Sequence, residues 1–386
     1  MVQNPKDVEE ETLKKQVIVF LLSRLKTECK LATGYDEKQF FEPNEEIEGR
    51  EKPSDLQPYY LRDFRKNLFY GENDDYLKNV ITYFYKSGPD NFAVKKAKKY
   101  GYHGFLLGNE TTKNYPLVSM GAMRSSSALI ANILSRPPFD LKPMKITLSK
   151  KREDFVPGDY EVYFEYPLRT LIQKGKPTHP SMADAVLINK DKNGFVVSLI
   201  IVESKLMEYF FGKPALAANT YLDEANYFPN LKRQNQQNGQ STASAFVSIF
   251  KEINQNIANG SIKFDAGQLI HHALGYLNER LNDDGLFHSN EFSKLETVTL
   301  VNSVLSPLSN TAAQGGDKIN DEIQKIWEAE KSEGQRQKIT LELRDLMSQA
   351  EANGPKFSFV FLPALDFADL FEQPDDLRHY LKRYRI

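Results

Sequence analysis

The segment from Asp184 to Lys205 constrains the fold of this chain most. Two β-type runs, Asp184 to Ile188 and Phe195 to Val202, flank Lys190-Asp191-Lys192-Asn193-Gly194. Asn-Gly is the strongest short hairpin signal, because both central residues of a tight type I′ turn need positive φ. If Asn193 and Gly194 are those two residues, Lys192 faces Phe195, and counting outward sets Asp184 opposite Glu203. Residues two apart on a strand share a face, so Lys205 joins the two carboxylates while Ser204 points the other way, into packing.

The surroundings make this trio unusual. Glu203 and Lys205 end the apolar run Val196-Val197-Ser198-Leu199-Ile200-Ile201-Val202, where a purely structural strand has no need of charge. Burying charge is costly unless something pairs it. Two adjacent carboxylates repel, and a hard divalent cation such as Mg²⁺, which favours one or two carboxylates plus waters and phosphate oxygens, relieves that repulsion. A lysine beside such an ion can orient or help deprotonate a water aimed at a phosphodiester. The structural reading of the same residues is a surface salt bridge at a hairpin end, which contributes little.

Other elements follow from periodicity. Residues 8 to 32 place Leu13, Val17, Phe20, Leu21 and Leu25 near a 3.6-residue period, with acids in front and Arg24, Lys26 and Lys30 behind, which predicts an amphipathic helix. Tyr59 to Phe69 and Tyr76 to Tyr85 read as two further helices joined by Gly71-Glu72-Asn73-Asp74. Met123 to Leu134 reads as a short buried helix with serines at its start and Pro137-Pro138 after its end. Asp159 to Tyr166 alternates strictly, with Tyr160, Val162, Phe164 and Tyr166 on one face and Glu161, Tyr163 and Glu165 on the other. Phe264 to Leu277 reads as a helix carrying Gln268, Leu295 to Leu305 as a buried strand, and Phe357 to Leu362 as another strand. The spacing of these elements divides the chain into a mostly helical region 1–116, a core 117–308 and a C-terminal α+β appendage 309–386 packed on the core.

Composition narrows the function classes. The chain has 386 residues, 40% hydrophobic and 26% charged, so wholesale disorder and fibrous folds are excluded. Lysine plus arginine total 50 against 52 aspartate plus glutamate, so contact with nucleic acid must rest on local patches. The candidates are Lys142 to Arg152, the loop from Lys232 and Arg233 into Gln234 to Gln240, and the C-terminal Arg378, Lys382, Arg383 and Arg385. One cysteine, Cys29, rules out an internal disulfide framework and fits a reducing cytosol, with Cys29 itself read as a core residue. No membrane span or export signal is visible, and a cytoplasmic location is expected. Adjacent His271 and His272 point about 100° apart on a helix and so do not share one ion; packing or phosphate contact is expected of them.

Pro180-Ser181-Met182-Ala183-Asp184 followed by Glu203-Ser204-Lys205 resembles the signature of the PD-(D/E)XK, or restriction-endonuclease-like, nuclease superfamily, with Ala183 where a proline usually precedes the aspartate. The order of helix, strand, hairpin, helix and strand over roughly residues 117 to 306 resembles that of the superfamily and of a bacterial restriction-endonuclease-like branch. The resemblance implies an α/β fold with a central mixed β-sheet flanked by helices. It implies a Mg²⁺-dependent deoxyribonuclease, with Mn²⁺ as a substitute ion, serving restriction or phage defence. Asp184 and Glu203 would hold the metal and Lys205 would position the attacking water. By analogy Glu165 joins the metal site, with Glu161 as the same-face alternative, and Gln268 matches a glutamine that the following helix places near the active site. DNA is the expected partner, and a homodimer is one expected arrangement because cutting both strands usually takes two active centres. The alternative is a nucleic-acid-binding module that keeps the fold without catalysis.

Overall fold

The apolar runs of the sequence become six strands in the computed structural model, paired into one mixed sheet whose spatial order is the order of the chain. The structure describes residues 5–40, 61–76, 125–139, 143–173, 176–177, 180–206, 214–234, 239–262, 264–305, 317–331 and 333–384. The strands are β1 (Met144–Leu148), β2 (Gly158–Leu168), β3 (Ser181–Lys190), β4 (Val196–Lys205), β5 (Thr297–Val304) and β6 (Lys356–Pro363). From β1 to β4 each neighbour is antiparallel, and β4, β5 and β6 are parallel. The segment 309–386 therefore supplies an edge strand of the same sheet.

Parallel neighbours need crossover connections on the faces of a sheet, and helices provide them. The longer helices are α1 (Pro5–Thr33), α2 (Ser126–Leu134), α3 (Thr242–Ala258), α4 (Ala266–Leu281), α5 (Asp317–Lys331) and α6 (Glu333–Ala350). One face of the sheet packs Val162, Phe164, Leu187, Ile200 and Val202 against α1, α2 and the C-terminal Phe367 to Tyr384. The other packs Val186, Ile188, Leu199, Ile201 and Leu300 against α3, α4 and α6. Covering both faces explains why β4 reads as a continuous apolar run rather than an alternating one. The architecture is the expected α/β class. Cys29 lies in the core, and Ser125 caps α2 by accepting the Ala128 N–H at 3.1 Å.

The β3–β4 hairpin has the expected pairing but not the expected turn. Asp191 N–H donates to Phe195 O at 2.8 Å and Gly194 N–H donates to Asp191 O at 2.9 Å, with Gly194 at φ 84°. That is a three-residue loop with its last residue left-handed, which shifts the pairing by one; the Asp191 carboxylate holds it by accepting from Asn193 and Phe195 N–H. A bulge between Asn189 and Lys190 on one side and Ser198 and Val196 on the other shifts it back, so Ala185 faces Val202. The two irregularities cancel, and Asp184 still arrives beside Glu203.

Of the expected elements and patches, most of Tyr76 to Tyr85, Lys142, Asn235 to Asn238 and Arg385 lie outside the described residues. Among the described residues of Tyr59 to Phe69 only a short 3₁₀ turn, Phe64–Asn67, forms. Arg383 is withdrawn from the C-terminal basic patch: it is 2% exposed and bonded to Asn67 and Tyr380. No helix among the described residues is long and apolar enough to cross a membrane.

Candidate active site

The ends of β2 and β4 and the start of β3 open onto a cleft of about 590 Å³. Glu165 from β2, Asp184 from β3, and Glu203 and Lys205 from β4 line it, with Asp265 and Gln268 from the start of α4 on the opposing wall. The structure thus brings all five sequence-selected residues into one place. Glu161 is elsewhere: its carboxylate binds Lys190 Nζ at 2.9 Å and accepts from Tyr163 Oη at 3.0 Å.

Glu165 reaches the cleft through an unusual backbone. Its φ is 45°, a left-handed value rare for a residue with a Cβ and costing about 1–3 kcal/mol. The pairs Phe164↔Ala185 and Tyr166↔Ala183 flank it. Phe164 and Ala185 belong to one core, whereas Tyr166 and Ala183 belong to the other. The strict alternation expected from Tyr160 to Tyr166 is therefore broken: the strand pair changes faces where Glu165 passes Asp184. A regular strand would keep Tyr166 with Tyr160, Val162 and Phe164.

Hydrogen bonds then order the polar groups. Asp184 Oδ2 accepts the Ser204 N–H at 2.6 Å. Lys205 Nζ lies 2.7 Å from Glu203 Oε1, donates to Gln268 Oε1 at 2.8 Å, and stands 3.9 Å from Asp265. Asp265 also caps α4 by accepting the Gln268 N–H at 3.3 Å. His272 Nε2 is 2.9 Å from Glu203 Oε2, and its Nδ1 is 2.9 Å from Ser181 Oγ.

Charge in the cleft is unbalanced. Burial, and then the negative charge of Glu203, push the Glu165 carboxyl up to about 8. Asp184 is held well above the ordinary carboxylate range by burial and by the charges of Glu203 and Glu165, only partly offset by the Ser204 N–H and Lys205. Asp265 is raised too, chiefly by burial, against the pull of Lys205. Burial also works on Glu203, but Lys205 and His272 outweigh it and its carboxyl falls below the usual value. One carboxylate is thus compensated and its neighbours are not, which is the electrostatic condition a bound cation relieves.

Among the described residues no three His, Cys, Asp or Glu side chains form a ready-made metal cage. A Mg²⁺ site does not require one, since this ion keeps several waters and takes one or two carboxylates. The carboxylate donors and their uncompensated charge fit such an ion.

Two members of the site were not anticipated as such. His272, expected to pack or to touch phosphate, binds Glu203, and Asp265 approaches Lys205. The missed signal was helical spacing: 265, 268 and 272 fall on one face of α4, as residues three and four apart do. His271 also lines the cleft, with its ring against those of Tyr221 and Phe250 at 4.3 and 5.2 Å, and burial pushes its imidazole down to about 3.

The sequence pattern of the family described as Restriction Endonuclease associating with ARP matches residues 72–289, more than half of the chain and all of the cleft residues. The chain belongs to that family. Its members are restriction endonucleases by description, which supports a nuclease or defence role and DNA as the substrate. No curated protein and no solved structure matches the chain.

Proposed function

We propose that this member of the restriction-endonuclease family is a divalent-metal-dependent deoxyribonuclease of the PD-(D/E)XK type, acting in restriction or phage defence. The observation that carries the reading is the convergence of Asp184, Glu203 and Lys205, with Glu165, on one open cleft whose carboxylate charge lacks compensation. Asp184 and Glu203, with Glu165 beside them, would hold Mg²⁺ or Mn²⁺. When bound, the ion supplies Lewis-acid activation of water and neutralises charge on the phosphate.

The chain's own groups do the rest. Glu203 and Gln268 hold the Lys205 ammonium from two sides, so it meets the cleft at a fixed place. There it orients the attacking water and offsets negative charge developing on the phosphodiester. The bond to Ser204 N–H fixes the Asp184 carboxylate. The family description also names an association with ARP, and we extend that association to this chain.

The test is cleavage of plasmid and phage DNA with Mg²⁺, with EDTA, and by Lys205→Ala protein of verified fold. Cleavage by the wild type alone supports the reading. Intact DNA in every arm, with salt-dependent binding by the folded protein, supports the non-catalytic binding module instead.

A further inference from the structure

Around Glu203 one group is engaged on both sides yet has no part in the chemistry above. His272, 2% exposed, bridges Ser181 Oγ and Glu203 Oε2, each at 2.9 Å. Valence fixes the direction of the bond to Glu203. A carboxylate paired with Lys205 Nζ at 2.7 Å offers lone pairs only, so the His272 Nε2–H donates to it. On the other side of the ring Nδ1 is hydrogen-bonded to the Ser181 hydroxyl, which can donate or accept, so Ser181 holds the ring in place.

Each oxygen of Glu203 is consequently held from a different element: Oε1 by Lys205 on its own strand, Oε2 by His272 on α4. Lys205 faces the cleft and divides its donors between Glu203 and Gln268, so its hold on Glu203 is not exclusive. His272 is buried behind the carboxylate, and the cleft lining does not include it.

We propose that His272, set in place by Ser181, is the positioning residue that keeps the Glu203 carboxylate in its ion-binding orientation. This rests on the metal-nuclease reading and deepens it. Hydrogen-bond partners behind a metal-ligating group typically matter about 10–100-fold in ion affinity. The effect comes through one atom, Nε2, which separates positioning from packing.

The experiment is Mn²⁺ titration of the full chain without DNA, read by the electron paramagnetic resonance of free Mn²⁺. His272→Ala weakens Mn²⁺ binding by about 10–100-fold. His272→Gln places an amide donor near the Nε2 position and recovers most of the affinity, whereas His272→Asn reaches only the Nδ1 position and does not. Should His272→Ala not fold, the Gln and Asn variants carry the comparison. Unchanged affinity in folded His272→Ala, or equal affinity in the Gln and Asn variants, overturns the positioning role while leaving the nuclease reading in place. Failure of the wild type to bind Mn²⁺ overturns both.

Discussion

Helix α4 carries two clusters of buried charge, and they are built on opposite terms. Near its C-terminal end Glu279, fully buried, takes Arg169 Nε at 2.6 Å and Arg169 Nη2 at 2.9 Å, and also accepts the backbone N–H groups of Arg169 and Leu286. The remaining Arg169 nitrogen binds both oxygens of Asp284 at 2.9 Å. At the other end of the helix, Asp265, Gln268 and His272 face Glu203 and Lys205, with Glu165 and Asp184 beyond. The first cluster pairs its buried charge within the protein. In the second, burial and mutual repulsion raise Glu165 and Asp184, so these carboxyls ionise readily only when positive charge arrives from outside. A matched cluster ties loops to a helix, and an unmatched one marks a site.

The contrast can be broken at either cluster. Lys205→Ala should reduce cleavage by about 10²–10⁴-fold, the range of a positioned proton-handling or orienting group, in protein that still folds because His272 continues to hold Glu203. Arg169→Ala should instead act on the fold, destabilising it by about 3–5 kcal/mol in denaturant unfolding because Glu279 is left buried and unpaired. A loss of cleavage from Arg169→Ala with no loss of stability would show that the two clusters are not separate.

Glu165→Gln sharpens the comparison from the other side. Removing one of the repelling carboxylates should stabilise the metal-free protein at pH 8 by about 0.5–2 kcal/mol while cleavage is lost, the trade expected where function maintains a strained site. The pH dependence has a definite sign. The folded protein favours the protonated Glu165 carboxyl, raised from 4.5 to about 8, so its contribution to stability is complete below 4.5 and is lost as pH rises through about 8. Thermal unfolding in EDTA across that window should show the decline in the wild type and a flatter profile in Glu165→Gln. The smallest effect is expected at Lys190, which bridges Glu161 and Glu291 at 2.9 and 2.8 Å near the surface. Lys190→Ala should cost about 0.2–1 kcal/mol and leave cleavage unchanged.

Much of the site was legible before the structure because the hairpin is local. Asp184, Glu203 and Lys205 are tied by a pairing that runs from one turn along two strands, and a period of two assigns their faces. Even the wrong turn type did not move them, since the bulge beside Lys190 restored the register that the three-residue loop had shifted. Gln268 was found through resemblance and not through spacing, and its contact with Lys205 became visible only in three dimensions. The reading of Asp159 to Tyr166 failed at one residue, because a single left-handed φ reverses every side chain that follows it.

What the sequence alone determined is therefore what short-range periodicity encodes: the strands, the hairpin partners, the capped helices and the sheet face that carries Asp184, Glu203 and Lys205. The tertiary structure decided which groups from other elements meet that face. His272 lies 69 residues from Glu203 along the chain, and its ring reaches the carboxylate because α4 packs over the sheet at one angle and rotation. The 3.6-residue period sets which residues of α4 line up with Gln268, but only side-chain packing between helix and sheet fixes where that line points.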